Sequence, residues 1–161
     1  MKKYTTEIKW GLIFTIVALL WMVFERMMGW HGENIAQHST MTNLFAIPAI
    51  IIYVFALLDK RKNDLGGIMT WGQGFASGLI ITLVVVILSP LAQYLTHTII
   101  SPEYFANIIE YSVSEGQMTR EEAEGYFSLN NYMMQSAIGG LIMGIVTSAV
   151  VAFFVKKKST V

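Results

Sequence analysis

The chain has 161 residues, 54% of them hydrophobic and only 14% charged, with no net charge and no cysteine. An ordinary soluble domain is about 25% charged, so the composition points to a single domain with lipid as its main solvent. It excludes disulfides, thiolate metal sites and cysteine nucleophiles, and the short basic runs form no patch of the kind that binds nucleic acid.

The first apolar segment covers about residues 8–28, introduced by Lys2, Lys3 and Lys9. Its start resembles a signal peptide. However, Phe24-Glu25-Arg26-Met27-Met28-Gly29-Trp30 follows where a small-residue cleavage site would stand, so the segment is expected to be retained. Trp10 and Trp30 mark its two ends, where indole rings favour the interface. Glu25 and Arg26 are notable because ionisable groups within spans are costly and often functional. Glu25 lies about 5 Å from the span end at helical rise, within snorkelling reach of headgroups. The plainer reading is an anchor or interhelical salt bridge; the sharper one is a coupling or ligand role. In the following connection His31, Glu33 and His38 could form a metal site, but their spacing is loose and they read as solvated loop residues.

The second span covers about residues 40–58, with no formal charge from Ser39 through Leu58. A run of about 20 residues crosses a hydrocarbon core of about 30 Å. Asp59-Lys60-Arg61-Lys62-Asn63-Asp64 stops it, and Leu65-Gly66-Gly67 signals a turn. The third span is placed at about residues 72–95, inside an uncharged stretch that runs from Leu65 to Pro102. One helix from Trp71 to Ile100 would measure about 45 Å, so it must tilt, bend or protrude. Pro90 is the expected bend, and Tyr94–Ile100 should rise beyond the interface. Gln93 and His97 share a helical face there. With Glu25 and Arg26 they make up a candidate polar cluster; more simply, they satisfy one another and the backbone freed by Pro90.

Residues 101–131 are too long for a turn and carry two helix starts. Ser101-Pro102-Glu103 reads as an N-cap, a first-turn proline and an acid suited to the helix dipole. Thr119-Arg120-Glu121-Glu122 fits a capping box. Two short amphipathic helices are expected, separated at Gly116 and forming a cap, with a break near Asn130 and Asn131. The cap's acids read as a solvated face, since their spacing does not match an EF-hand. The fourth span covers about residues 132–155 and ends at Lys156, Lys157 and Lys158. Ser136, Gly140, Gly144, Ser148 and Ala152 recur every fourth residue. Such a stripe lets helix backbones approach closely, either within the monomer or as a self-association face.

Charge then orients the spans. Lys2, Lys3, Lys9, Lys60, Arg61, Lys62, Lys156, Lys157 and Lys158 all fall on one side, leaving only Arg26 and Arg120 opposite. Basic loops stay cytoplasmic, so both ends are expected inside and the acidic 101–131 cap outside. Ten methionines read as gap-fillers within helices. No nucleotide loop, zinc-helix motif or nucleophile elbow occurs, so no enzyme activity, cofactor or metal is expected.

The runs Ile68-Met69-Thr70-Trp71-Gly72-Gln73-Gly74-Phe75, Ser89-Pro90-Leu91-Ala92-Gln93-Tyr94, Ile99-Ile100-Ser101-Pro102-Glu103-Tyr104-Phe105 and Gly144-Ile145-Val146-Thr147-Ser148-Ala149 resemble a family of small four-span inner-membrane proteins from Bacteroidota, classed as a domain of unknown function. The resemblance covers nearly the whole chain. It implies a four-helix bundle in a bacterial envelope and transfers no catalytic or binding residue. The expected fold is therefore an all-α membrane protein, residues 1–161, with four transmembrane helices and two short amphipathic helices between spans three and four. The expected function is a non-enzymatic scaffold or accessory component of the bacterial inner membrane, in contact with lipid and either with copies of itself or with an envelope protein. The alternatives are a small transporter or channel using the outer polar residues, and a partner of an envelope glycosyltransferase or lipid-linked-substrate enzyme.

Overall fold

Lipid offers the backbone no hydrogen-bond partners, so long uncharged stretches must close their bonds internally as helices. The computed structural model describes residues 4–158, all helix and short connections except for one bridged pair, Met69 and Lys157. Lys2 and Lys3, counted above among the inner charges, lie outside the described residues. Four segments are long and apolar enough to cross a membrane: Thr5–Met27, Ile35–Asp64, Trp71–Ile100 and Leu129–Val155. The chain is a multi-pass all-α membrane protein.

Helix α1 is Thr5–Met27. The second segment is composite: a 3-10 turn leads into α2 (His38–Met41), another into α3 (Ala46–Asp59), and a π turn over Lys60–Asp64 ends it. Helix α4 (Trp71–Leu95) continues into a π turn at Thr96–Ile100. Two short helices follow, α5 (Tyr104–Ser114) and α6 (Arg120–Tyr126), before the last long helix, α7 (Leu129–Val155). Helix α4 packs between α1 and α7, and α3 closes the bundle against the same two helices.

The α4–α7 contact is the closest. A Cβ added at Gly144 would lie 2.3 Å from Thr82 Cγ2, and one added at Gly78 would lie 2.5 Å from Ser148 Oγ. A Cβ at Gly74 would meet Ala152 Cβ at 3.1 Å, whereas one at Gly140 would meet Val86 only at 3.7 Å. Gly144, Ser148 and Ala152 of the small-residue stripe are thus spent on α4. Tyr53 from α3 reaches the same seam, its hydroxyl 2.7 Å from Thr82 Oγ1. Around it Ala56, Leu57, Met69, Ile81 and Val151 form the main apolar core.

Helix α4 passes Pro90 without ending. Proline removes the bond that would reach the carbonyl four residues back, that of Val86. Ser89 Oγ donates to that oxygen at 2.9 Å, so Ser89 satisfies the freed backbone, and Gln93 and His97 are left for each other. Thr119 and Glu122 form the expected capping box, and Thr70 with Gln73 forms a second one that opens α4. Ser101 does not cap α5, whose N-cap is Glu103; its hydroxyl is drawn to a histidine instead. The chain breaks at Phe127 and Ser128, before the expected Asn130 and Asn131.

Candidate functional site

The cap meets the bundle over a buried polar cluster. Glu25 sits in the last turn of α1 and is 0% exposed. An unpaired carboxylate there would be very costly, and the local sequence supplies its partners. Trp21, one turn earlier, donates Nε1–H to Glu25 Oε1 at 2.5 Å. Gly29 takes a positive φ of 76°, a backbone state that suits glycine, and this turns the chain back over α1. His31 Nε2 then lies 3.0 Å from Glu25 Oε2, and His38 Nδ1 lies 3.4 Å from the same oxygen.

The far side of this cluster belongs to the segment leading into the cap. His31 Nδ1 is 2.6 Å from Ser101 Oγ, and Asn107 of α5 donates to the His31 carbonyl at 2.9 Å. Arg26 donates to the Ile100 carbonyl. The Tyr104 ring stands between three imidazoles, its centroid 5.2 Å from His31, 5.1 Å from His38 and 5.2 Å from His97. Its hydroxyl is 3.0 Å from that of Tyr132. Burial holds the Tyr104 phenol well above its ordinary range, so it stays protonated and neutral.

Of the four residues in the predicted polar cluster, Glu25 and Arg26 diverge, as neighbours on a helix must. Gln93 and His97 pair with each other at 3.1 Å. Tyr104 separates the two halves, and among the described residues no hydrogen bond joins Glu25 to Gln93 or His97. His31 is 5% exposed and so is no solvated loop residue, while Glu33 stays exposed. The residue that completes the histidine pair is Glu25, supplied by the preceding helix; a linear reading of the loop misses it.

A second buried acid lies at the opposite end. Glu7 is 1% exposed. Lys60 Nζ and Ser77 Oγ each lie 2.9 Å from its Oε1, beside a cleft of about 610 Å³. The signal that could have found it is helical spacing, since Glu7, Gly11 and Glu25 share one face of α1.

A model of the family described as "Protein of unknown function (DUF4199)" matches residues 9–157. The chain belongs to that family. The DUF4199 match takes in Glu25, His31, His38, Gln93 and His97 together with nearly all of the four spans, whereas Glu7 precedes it. No curated protein and no solved structure matches the chain.

Proposed function

We propose that the chain is a non-enzymatic accessory component of the bacterial cytoplasmic membrane, with both ends cytoplasmic and the α5–α6 cap outside, where it docks another envelope protein. The observation that carries this reading is the way the cap is held. Ser101 and the half-buried Asn107 hold it to His31 in the connection after α1, which makes it a defined surface. Glu103, Glu110, Glu115, Glu121, Glu122 and Glu124 are exposed there, offset by Arg120, which pairs with Glu110 at 2.8 Å. Such a face suits a partner with a basic patch. The closed α4–α7 seam supports a structural role over conduction, and the basic flanks support the orientation.

The test is cross-linking in intact membranes followed by purification in mild detergent. Wild-type chain should retain a partner that the triple variant Glu110→Lys, Glu121→Lys, Glu124→Lys loses. Recovery of the monomer alone from cross-linked membranes would sink the proposal. Reporter fusions at Lys62 and Gln117 test the orientation, and a cytoplasmic signal at Gln117 would reverse it. A transporter is the second reading, favoured by the buried Glu7 and its partly exposed partner Lys60 beside a cleft. Unchanged flux through liposomes on Glu7→Gln would remove it.

A further inference from the structure

We infer that Glu25, His31 and His38 bind a first-row divalent metal ion, zinc being the representative probe. The site stands on its own geometry and does not depend on the docking role above. One ligand atom from each of the three side chains lies within 4.8 Å of the others. The two distances from Glu25 Oε2, 3.0 Å to His31 Nε2 and 3.4 Å to His38 Nδ1, bracket the ligand separation of about 3.3 Å that zinc bonds of about 2.0 Å impose on a tetrahedron. Two imidazoles and one carboxylate are a set that zinc and non-haem iron both use.

The surroundings match what such ligands need. A metal-binding histidine is oriented by a hydrogen bond from its other nitrogen. Here His31 Nδ1 lies 2.6 Å from Ser101 Oγ, and in the tautomer that donates from Nδ1 to that hydroxyl, Nε2 presents its lone pair toward Glu25. The carboxylate is in turn oriented by Trp21 at 2.5 Å. His38 Nδ1 is buried and, among the described residues, has no contact of hydrogen-bond geometry, lying 3.4 Å from Glu25 Oε2, so a nitrogen beside the carboxylate is left for a metal to use. Access comes from an adjoining cleft of about 200 Å³, lined by His31, Glu33, Ser101 and Glu103 among others. Its two acids outnumber the one cation in the lining, Arg26, which donates to the Ile100 carbonyl, so the cleft keeps a net negative charge. Three protein ligands leave one tetrahedral position for water. Because Ser101 and Asn107 hold His31 from the cap side, metal binding and cap docking reinforce each other.

The test uses the full chain in detergent micelles, stripped with a chelator and titrated with Zn²⁺ and, separately, Co²⁺. The expected result is one tightly held equivalent per chain, lost in Glu25→Gln and His38→Gln and kept in Glu121→Gln. Ser101→Ala should weaken binding about 10- to 100-fold. The natural chain has no cysteine, so His38→Cys introduces a single thiol. With Co²⁺ it should add a thiolate-to-metal charge-transfer band to the d–d bands of the wild type. If wild-type chain shows no saturable uptake, or if Glu25→Gln and His38→Gln bind as it does, the site is refuted. Should the glutamine variants lose helical content, the His38→Cys spectrum decides: a charge-transfer band supports the site and its absence refutes it.

Discussion

Gly144→Ala tests the helix seam most directly. The added Cβ would lie 2.3 Å from Thr82 Cγ2, 2.5 Å from Oγ1 and 2.9 Å from Cβ. Carbon atoms pack at about 3.5–4.0 Å, so the helices must part by about an ångström or Thr82 must rotate. Threonine is stiff at χ1, and rotation would break its contacts with Tyr53 and the Gly78 carbonyl. Overpacking of this kind costs about 1–3 kcal/mol. Gly139→Ala is the control, because a Cβ there meets nothing within 4 Å. Both variants gain the same helix propensity, about 1 kcal/mol over glycine, so their difference isolates the clash. Unfolding by SDS titration in mixed micelles should place Gly144→Ala about 1–3 kcal/mol below Gly139→Ala. Adding Thr82→Ala removes two of the three clashing atoms and should recover part of that gap. Equal stability of the two alanine variants would refute the seam.

Three further outcomes follow from the cap and the bend. Glu25→Gln removes the charge that Trp21 and the two histidines surround, and should lower thermal stability by about 1.5–3 kcal/mol, the range for hydrogen bonds to charged groups; hydrogen exchange should rise in α5 before it rises in the spans. Ser89→Ala leaves the Val86 carbonyl unpaired and should cost about 1–3 kcal/mol in the SDS assay, whereas Ser89→Thr, which keeps a hydroxyl, should cost less. The Thr119 backbone N–H, and then its hydroxyl, hold the Glu122 carboxyl below its ordinary range. A depressed acid stabilises the fold above its unfolded pKa and loses that stabilisation as pH falls through the folded value. Amide protection in α6 should therefore weaken on acidification below the usual glutamate range, and Glu122→Gln should abolish that dependence, whereas Thr119→Ala, which keeps the backbone N–H, should only reduce it.

The spans were legible because charge is scarce and its costs in lipid are large. Ser39 to Leu58 and Leu65 to Pro102 left no alternative to helix, and the Thr119 capping box is a local device that sequence spacing reports faithfully. The site was only half legible. His31 and His38 were visible as a pair, but Glu33 stood nearest in the chain, and only the reversal at Gly29 brings Glu25 above them. Ser101 misled for a related reason: its hydroxyl satisfies either a helix start or a buried imidazole, and only the folded chain shows which need prevails. Glu7 was hidden by its position among basic residues at a span end, where solvation is the ordinary expectation.

Glu7 and Glu25 lie 18 residues apart in α1, which is five turns and about 27 Å at helical pitch. They therefore point in nearly the same direction from opposite ends of one rod, with Gly11 against Val84 between them. The azimuth of α1 is keyed twice. A rotation of α1 that released Glu25 from its histidines would also withdraw Glu7 from Lys60 and Ser77, so neither acid can be turned out alone while the helix stays rigid.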